Sequence, residues 1–230
     1  MLEEYTEVLQ KALLFRSIGK EDLPVMLGCL GPKTEVFGKD DYIVTAGETL
    51  DSIGIILEGE ALVIKENAAG NRVVMTDLKE GNMFGEMLVF SNLSVWPSSV
   101  VAQKDSKVMF LQRKKITGQC EKACSWHNAV IENLLWVISE RAIMLNKKVE
   151  YLTIKSMRGK ICAYLLEQQK RSGNATFDLP MNRNELADFL NVSRPSMSRE
   201  LARMKEEDLI DFHMSTFKIK AAGELRKMCE

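Results

Sequence analysis

The sequence is poor in the residues that build metal centres and disulfide frameworks. Its 230 residues include only two histidines and five cysteines. The cysteines form no C-x-x-C pair and their number is odd, which favours reduced thiols over a disulfide framework. The patterns typical of zinc sites and of thioredoxin-like redox sites are therefore absent, and no metal-ligating set is predicted.

Long apolar runs are also lacking. No stretch of about 18 consecutive apolar residues occurs, as a membrane-spanning helix would require. The N-terminus, Met1-Leu2-Glu3-Glu4, is acidic and is not followed by the apolar segment of a signal peptide. These absences predict a cytoplasmic protein that makes no use of a membrane.

Neither sign of charge is in large excess, since 31 Lys and Arg stand against 32 Asp and Glu. The two signs are distributed unevenly along the chain. Residues 155–230 hold 14 Lys and Arg against 11 Asp and Glu, whereas residues 1–154 hold 17 against 21. An indiscriminate binder of polyanions would show a larger basic excess. If the C-terminal part binds nucleic acid, specific contacts must therefore supply much of the affinity.

Two short helices separated by a tight turn are predicted in the C-terminal part of the chain. Asn182, with Glu185 three residues later, forms a variant of the capping box that starts a helix. The turn follows at residues 191–192, and Ser193 can cap a second helix whose first turn tolerates Pro195. The apolar faces are Leu186, Ala187 and Leu190 in the first helix and Met197, Leu201 and Met204 in the second.

The opposite face of the second helix carries side chains suited to reading DNA. A helix fits the major groove, where arginine can bond a guanine edge through two hydrogen bonds and serine can reach bases or phosphates. Arg199 is predicted to read a guanine, and Arg203 and Lys205 are predicted to contact phosphates. The candidate DNA-binding residues are Arg194, Ser196, Ser198, Arg199 and Arg203.

The first half of the chain shows a different pattern. After short helices expected within residues 5–30, short β-type runs punctuated by glycine predict a compact antiparallel barrel or sandwich. A hairpin tip is expected at residues 68–71. The runs are residues 42–44, 53–57, 61–64, 73–75 and 108–111.

A long helix is predicted over residues 125–152, where apolar residues recur in steps of three and four around a polar Arg141. This spacing resembles a coiled-coil seam and favours a homodimer, while packing of the helix on its own barrel stays an alternative. The seam residues are Ile131, Leu134, Ile138, Arg141, Leu145, Val149 and Leu152.

Beyond the long helix, a further helix over residues 157–169, a loop at 170–176, and strands at 209–212 and 217–219 complete a winged helix-turn-helix. Three parts result. Residues 1–124 form an effector-sensing β-domain with N-terminal helices, residues 125–152 form the dimerisation helix, and residues 153–230 form the DNA-binding domain.

The order of these parts resembles the CRP/FNR family of bacterial transcription regulators. The motifs that carry the resemblance are Phe84-Gly85-Glu86 leading to Leu88-Val89-Phe90, and the segment from Ser193 to Arg199. The resemblance covers nearly the whole chain. It implies an α+β fold with an N-terminal antiparallel β-barrel or jelly roll of the cyclic-nucleotide-binding type, a long dimerisation helix and a C-terminal winged helix-turn-helix.

The resemblance also implies partners and roles. A homodimer would bind a palindromic site in double-stranded DNA, and RNA polymerase would be a further partner, with the 170–176 loop as the nearest counterpart of a contacting surface. By position, Ser198 and Arg199 match the family's base-reading residues and Arg194 matches a contact at the helix start. Pro195 stands where many members carry a base-reading glutamate, so the usual half-site is not expected.

The sensor domain departs from the cyclic-nucleotide-binding members of the family. Those members hold the phosphate with a Gly-Glu pair, an arginine about ten residues on, and a following serine. Gly85 and Glu86 are present here, but Trp96 and Pro97 stand at the positions of the arginine and the serine. A phosphodiester beside Glu86 would lack its cation, an unpaired buried charge that is strongly unfavourable. Neither cAMP nor cGMP is therefore expected to bind in the usual way.

A more apolar pocket, suited to an aromatic or fatty effector, is predicted in place of the nucleotide site. Filling of the cavity by the Trp96 ring itself is an equally open interpretation. The predicted pocket residues are Gly85, Glu86, Met87, Leu88, Val95, Trp96, Leu134, Ile138, Leu145 and Asn146.

Other sensing chemistries stay open as alternatives. Haem would use His127, with a methionine from Met75, Met83 or Met87 as the second ligand, and a thiol sensor would use Cys120 and Cys124, four residues apart. An iron–sulfur cluster is disfavoured because only Cys29 lies near the N-terminus.

Two other classes of function compete with a regulator that binds DNA. A cupin-like metal enzyme is disfavoured because no histidine precedes His127, and no Ser-His-Asp arrangement can be assembled. The sequence therefore predicts no catalytic residues and no enzyme. A barrel that regulates a partner protein without binding DNA is the remaining alternative.

Overall fold

The computed structural model describes residues 3–49, 51–66, 72–93, 95–118 and 125–229. The chain divides into two units, Met1–Glu140 and Arg141–Glu230, and the boundary falls within the long helix. Each unit has its own buried core, the first around the β-sheets and the second around the helix-turn-helix.

The N-terminal segment consists of short helices, as expected from its spacing of apolar residues. Helices α1 (Thr6–Lys11) and α2 (Leu23–Leu30) alternate with 3₁₀ turns at Glu3–Tyr5 and Leu13–Phe15. Gly31 ends α2 in the left-handed conformation, with φ of 56°. The apolar faces of these helices pack into one cluster with strand residues of the barrel.

Two four-stranded antiparallel sheets form the β-barrel of the first unit. Their strand orders are β1-β8-β3-β6 and β2-β7-β4-β5. The strands are β1 Lys33–Phe37, β2 Tyr42–Val44, β3 Ser52–Glu58, β4 Glu60–Glu66, β5 Arg72–Lys79, β6 Met83–Phe84, β7 Ser99–Ala102 and β8 Ser106–Gln112.

The antiparallel β-domain predicted from the glycine-punctuated pattern is thus confirmed. The five predicted runs correspond to β2, β3, β4, β5 and β8, whereas β1, β6 and β7 were missed. β1 is mostly polar and exposed, and β6 and β7 have only two and four residues, too few to show a period. The expected hairpin tip at residues 68–71 lies outside the described residues.

A glycine makes room for an aromatic ring inside the barrel. Gly54 in β3 pairs with Phe84 in β6, and a Cβ atom at residue 54 would overlap the Phe84 ring. Phe84 in turn lies edge-to-face with Trp96 and Phe110, at centroid distances of 6.4 and 6.3 Å. Gly54 therefore sets the position of the aromatic cluster.

Helix α3 (Glu86–Val89) follows β6, α4 (Arg113–Thr117) follows β8, and the long helix α5 spans Ser125–Thr153. The long helix predicted over residues 125–152 is confirmed. Among the residues that the structure describes, no helix is both long enough and apolar enough to span a lipid bilayer.

The second unit is a winged helix-turn-helix. Its helices are α6 (Met157–Ser172), α7 (Arg183–Leu190), α8 (Arg194–Glu206) and α9 (Ala222–Lys227). Strands β9 (Thr176–Asp178), β10 (Ile210–His213) and β11 (Thr216–Ile219) form an antiparallel sheet in the order β10-β11-β9.

The predicted loop at 170–176 is too long. Helix α6 continues to Ser172 and ends at Gly173, which adopts the left-handed conformation with φ of 69°. Thr176 already belongs to β9. Basic residues at positions 170 and 171 lie in the last turn, where they complement the helix dipole and favour continuation of the helix.

Gly54→Ala should destabilise the first unit by about 1–3 kcal/mol, since the added methyl group overpacks the aromatic cluster. Gly28→Ala in α2 is the matched control, because a Cβ at that position meets no atom within 4 Å and alanine favours a helix by about 0.5–1 kcal/mol. Urea unfolding followed by tryptophan fluorescence measures both. Equal stability of Gly54→Ala and the natural protein would show that the Phe84 ring is not held in place.

Candidate DNA-binding surface and effector domain

Helix α7 begins with a complete capping box, as the sequence predicted. Asn182 Oδ1 accepts hydrogen bonds from the backbone N–H of Asn184 (2.9 Å) and Glu185 (3.1 Å), and Glu185 Oε2 accepts from the N–H of Asn182 (2.8 Å). Asn191 ends the helix in the left-handed conformation, with φ of 51°. Both ends of α7 are therefore fixed by local sequence.

Helix α8 begins after the three residues 191–193. Ser193 occupies the N-cap position, but its side chain accepts no capping hydrogen bond from the described backbone, so the predicted side-chain cap is wrong. Pro195 lies in the first turn, where no N–H is needed. The predicted apolar stripes of both helices are buried, at Leu186, Ala187, Leu190, Met197, Leu201 and Met204.

The structure places all five candidate DNA-binding residues on α8. Arg194, Ser198, Arg199 and Arg203 are exposed, and Ser196 is half-buried. Arg199 Nη2 donates a hydrogen bond to Ser196 Oγ at 3.2 Å. The helix thus presents three exposed guanidinium groups, the exposed hydroxyl of Ser198 and the half-buried hydroxyl of Ser196.

Lys205, which is predicted to contact a DNA phosphate, makes two contacts within the protein. Its Nζ donates to the backbone oxygen of Phe212 at 3.2 Å and pairs with Asp211 at 2.6 Å. This ion pair lowers the pKa of Asp211. Lys205 therefore ties α8 to the wing strand β10.

Three basic residues that the sequence reasoning missed support the helix pair. Lys160 in α6 is buried, and its Nζ donates to the backbone oxygen of Leu190 at 3.2 Å, where the negative end of the α7 dipole stabilises a cation. Arg183 stacks on the rings of Phe212 and Phe217 in the wing. The third, Arg158, pairs with carboxylates of α8.

The end of α5 is joined to α6 and α7 by an aromatic and ionic junction. The Tyr151 ring lies edge-to-face with Tyr164 (5.9 Å) and Phe189 (5.6 Å). Glu167 accepts hydrogen bonds from Lys147 Nζ and from the Tyr151 hydroxyl. Burial opposes ionisation of Glu167, but these two donors outweigh it and hold the pKa of the carboxyl below its usual value.

In the sensor unit, the Gly-Glu pair starts the short helix α3. Gly85 is left-handed, with φ of 93°, and its carbonyl oxygen accepts from the N–H groups of Leu88 and Val89. Glu86 is buried, with 1% of its surface exposed. Arg113 supports the far end of α3, since its Nη1 donates to the Val89 oxygen at 3.1 Å.

Trp96 occupies the barrel interior. It is 7% exposed, and its indole belongs to the apolar cluster that includes Phe84. Its backbone N–H donates to the Glu48 oxygen (2.9 Å), and its carbonyl accepts from the N–H of Gly47 (2.8 Å). The indole Nε1 has no hydrogen-bond partner among the described residues. The Trp96 ring thus lies buried in the apolar interior of the first unit.

Family models match both units. The model of the cyclic nucleotide-binding domain matches residues 34–123, and that of the Crp-like helix-turn-helix domain matches residues 159–228. Together the two regions make up most of the chain. The chain belongs to the CRP/FNR family of transcription regulators. As a member of the CRP/FNR family, it is a DNA-binding transcription regulator with an effector-binding domain, and not an enzyme.

Two relatives in the CRP/FNR family share 20% of aligned residues with this chain. The chain is 20% identical over 178 residues to the cAMP-activated global transcriptional regulator CRP of Pasteurella multocida, covering 76% of this chain and 83% of that protein. It is 20% identical over 215 residues to the cyclic AMP receptor protein of Thermus thermophilus, covering 94% and 95%. The structure of the Thermus thermophilus catabolite activator protein aligns with a TM-score of 0.54 and 19% identity over 95% of this chain and 98% of that one. At this identity the structural likeness shows the shared fold alone.

Within the first unit of this CRP/FNR-family chain, the predicted pocket residues divide between two apolar clusters. Leu88 and Trp96 share one apolar cluster, whereas Leu134 and Ile138 pack in another with the N-terminal helices. Two more, Met87 and Val95, are largely exposed, and Leu145 and Asn146 are exposed in the second unit. The pocket as a whole stays a prediction, because the apolar face of a helix can be assigned from sequence but its packing partner cannot.

The predicted dimer seam needs a correction in its first half. Leu134 is 4% exposed and is buried in the core of its own unit, with Ile131 and Ile138 packed partly against the same cluster. Its neighbour Leu135 is 60% exposed. Arg141 and the second half of the seam, Leu145, Val149 and Leu152, are exposed.

The structure also shows the surroundings of some residues named for haem sensing. His127 Nε2 lies within hydrogen-bond distance, 2.8 Å, of the backbone oxygen of Lys115. Of the three methionines proposed as second ligands, Met83 is buried, whereas Met75 and Met87 are exposed. Cys120 and Cys124 lie outside the described residues.

Proposed function

We propose that the chain is a homodimeric, sequence-specific DNA-binding regulator controlled by a small effector other than a cyclic nucleotide. The observation that carries the proposal is helix α8, which buries one face and presents Arg194, Ser198, Arg199 and Arg203 on the other. Two such helices related by a twofold axis would read two half-sites one helical turn apart, so the preferred site is a palindrome.

Within this surface the arginines divide by role. Arg199 lies near the middle of α8 and has its guanidinium oriented by Ser196, which favours contact with a guanine edge. Arg203 lies one turn later, 67% exposed at its side chain, which favours a phosphate contact. RNA polymerase is a further proposed partner, at the exposed turn that follows α6.

Arg199→Ala should cost about 1–3 kcal/mol of binding on the preferred site and relax the preference at one base pair. Arg203→Ala is the comparison and should lower the salt slope by about 1 while leaving the preferred sequence unchanged. Selection from random oligonucleotides followed by fluorescence anisotropy at several salt concentrations measures both. Equal loss of affinity on every sequence in Arg199→Ala would contradict a base-reading role.

The homodimer proposal rests on the exposed apolar side of α5. The exposed positions continue in alternating steps of three and four, as a two-stranded coiled coil requires. Such a row of apolar side chains on a long helix is typical of a surface covered by another helix. The proposed seam is Leu135, Ile138, Ala142, Leu145, Val149 and Leu152, all exposed except the half-buried Ile138.

Leu145→Glu should convert the dimer to a monomer at micromolar concentration, because it places two carboxylates inside the seam. Met144→Glu is a matched control, since Met144 is similarly exposed, at 56% against 62%, but points about 100° away around the helix. Sedimentation velocity measures the mass. Dissociation by Met144→Glu alone would place the interface on the other side of α5.

The effector proposal rests on Trp96. Its buried ring, packed on Phe84, leaves an apolar environment beside the Gly85-Glu86 motif. A buried indole N–H without an acceptor costs about 1–3 kcal/mol, so an effector that supplies an acceptor atom would gain from pairing with it. These features favour an apolar organic molecule with one or more acceptor oxygens.

Titration calorimetry with millimolar cAMP and cGMP should show no saturable heat, because the phosphate would meet Glu86 with Trp96 in place of a cation. Glu86→Gln is the control that shows whether any binding occurs at the Gly85-Glu86 motif. A saturable heat that is lost in Glu86→Gln would place the nucleotide at this motif and overturn the proposal.

A further inference from the structure

One guanidinium joins the start of α6 to two points on the recognition helix α8. Arg158 Nε donates to Glu200 Oε1. Its Nη1 and Nη2 donate to Glu207 Oε2 and Oε1, at 2.7 and 2.8 Å. Every nitrogen of the guanidinium is therefore committed to α8 or to the residue that ends it.

Glu200 is unusual because it lies on the buried side of α8. It is 8% exposed, and it adjoins Leu201 in the apolar stripe. A buried carboxylate that lost its cation would be strongly unfavourable, whereas leucine or methionine would fit such a position without a partner. Glu200 therefore makes the conformation of α8 depend on Arg158.

The geometry of the pair restricts how α8 can move. Glu200 and Glu207 are seven residues apart, so they lie two helical turns and about 10 Å apart along the axis. A guanidinium held at both points opposes rotation of α8 about its axis and sliding along it. The hydrogen bonds that Arg158 donates to Glu207 and Glu200 raise the pKa of Arg158, and the same contact lowers the pKa of Glu207.

Arg158 itself sits in a rigid setting. Ser156 caps α6, with its Oγ accepting from the N–H of Gly159 at 2.9 Å. A Cβ atom at Gly159 would lie 2.6 Å from the Met228 oxygen and 2.8 Å from a methyl group of Ile154, so the backbone is closely packed there. The first turn of α6 is thus a fixed support.

The contact lies directly behind the arginines of the DNA-binding surface. The second carboxylate oxygen of Glu200 lies 3.6 Å from Arg203 Nη1. A cleft of about 290 Å³ at this point is lined by Met157, Ser196, Arg199, Glu200 and Arg203. A shift of α8 would therefore move Arg199 and Arg203 together.

We infer that Arg158 is a positioning residue for DNA recognition. It fixes the rotation of α8 through Glu200 and Glu207, so that Arg199 meets base edges in the orientation that two-point hydrogen bonding requires. Arg158 acts through α8 and touches no base. The inference rests on the proposed base reading by α8 and goes beyond it by assigning a residue outside the helix-turn-helix to specificity.

Arg158→Lys tests the inference, because lysine keeps the charge but cannot bond two carboxylates in a fork. Affinity for the preferred oligonucleotide should fall about tenfold, the loss that one mismatched base pair causes, while affinity for unrelated DNA at the same salt stays within about twofold. Arg171→Lys, exposed on the same helix, is the control and should change neither affinity. A parallel fall in both affinities would overturn the inference, since loss of folded protein acts on all sequences alike.

A second variant separates positioning from stability. In R158M/E200M the buried ion pair is replaced by apolar side chains, which preserve folding. Thermal unfolding should match that of the natural protein, while the ratio of specific to unrelated affinity stays about tenfold reduced. Recovery of both stability and specificity would show that Arg158 only supports the fold and would refute the inference.

Failure of the underlying proposal would look different. If the natural protein, with and without small-molecule extract, enriched no sequence from random DNA, base reading by α8 would be wrong before any Arg158 variant was measured. A natural protein with a clear preferred site, combined with unchanged specificity in Arg158→Lys, would refute the positioning role alone.

Discussion

Burial of one side of α8 is the interaction on which the DNA-binding unit depends. Met197, Leu201 and Met204 are fully enclosed in a core with residues of α6, α7 and the wing. Each such side chain contributes about 1.5–3 kcal/mol, more than a surface ion pair supplies. The arginines are exposed because this stripe leaves them no other side of the helix. Burial of the stripe thereby sets the approximate orientation of the recognition surface. The polar contacts of Arg158 then refine that orientation.

Local signals explain which parts the sequence could predict. The capping box of α7 joins residues three apart, and the buried stripe of α8 lies within eight residues. Both can therefore be recognised from a short stretch of sequence. The contacts that refine the site are not local. Arg158 and Glu200 are 42 residues apart, and Lys160 and the Leu190 oxygen are 30 apart. The sequence around a charged residue near a helix start does not identify the distant residue with which it pairs.

The dimer helix shows a second limit of sequence reasoning. Leu134 and Leu135 are chemically identical neighbours that point about 100° apart on α5, and spacing alone admits either in a seam. The structure separates them, since Leu134 is buried in its own unit and Leu135 is exposed. Only the packing of the N-terminal helices decides between them, and that packing involves residues more than a hundred positions away.

The first unit combines the fold of a cyclic nucleotide-binding domain with an apolar interior around Trp96. Gly85 starts α3 in the left-handed conformation, and Arg113 holds the end of that helix. The interior beside it holds the Trp96 ring, where a charged phosphate would need a cation. A fold fixes where an effector meets the protein, whereas individual side chains fix which effector it is. The relatives named for cAMP therefore inform about the architecture of this chain, and the effector proposal rests on the chain's own side chains.

Helix α6 carries the contacts through which the end of α5 and the recognition helix share one support. Glu167 binds Lys147 and Tyr151 of α5, and Arg158, nine residues earlier on α6, binds Glu200 of α8. The two contact points lie about 13 Å apart on a single helix, which transmits displacement without bending. Rotation of the last turns of α5 must therefore either break the Glu167 contacts or carry α6 with it. In the second case Arg158 moves Glu200, and the arginines of α8 change their orientation.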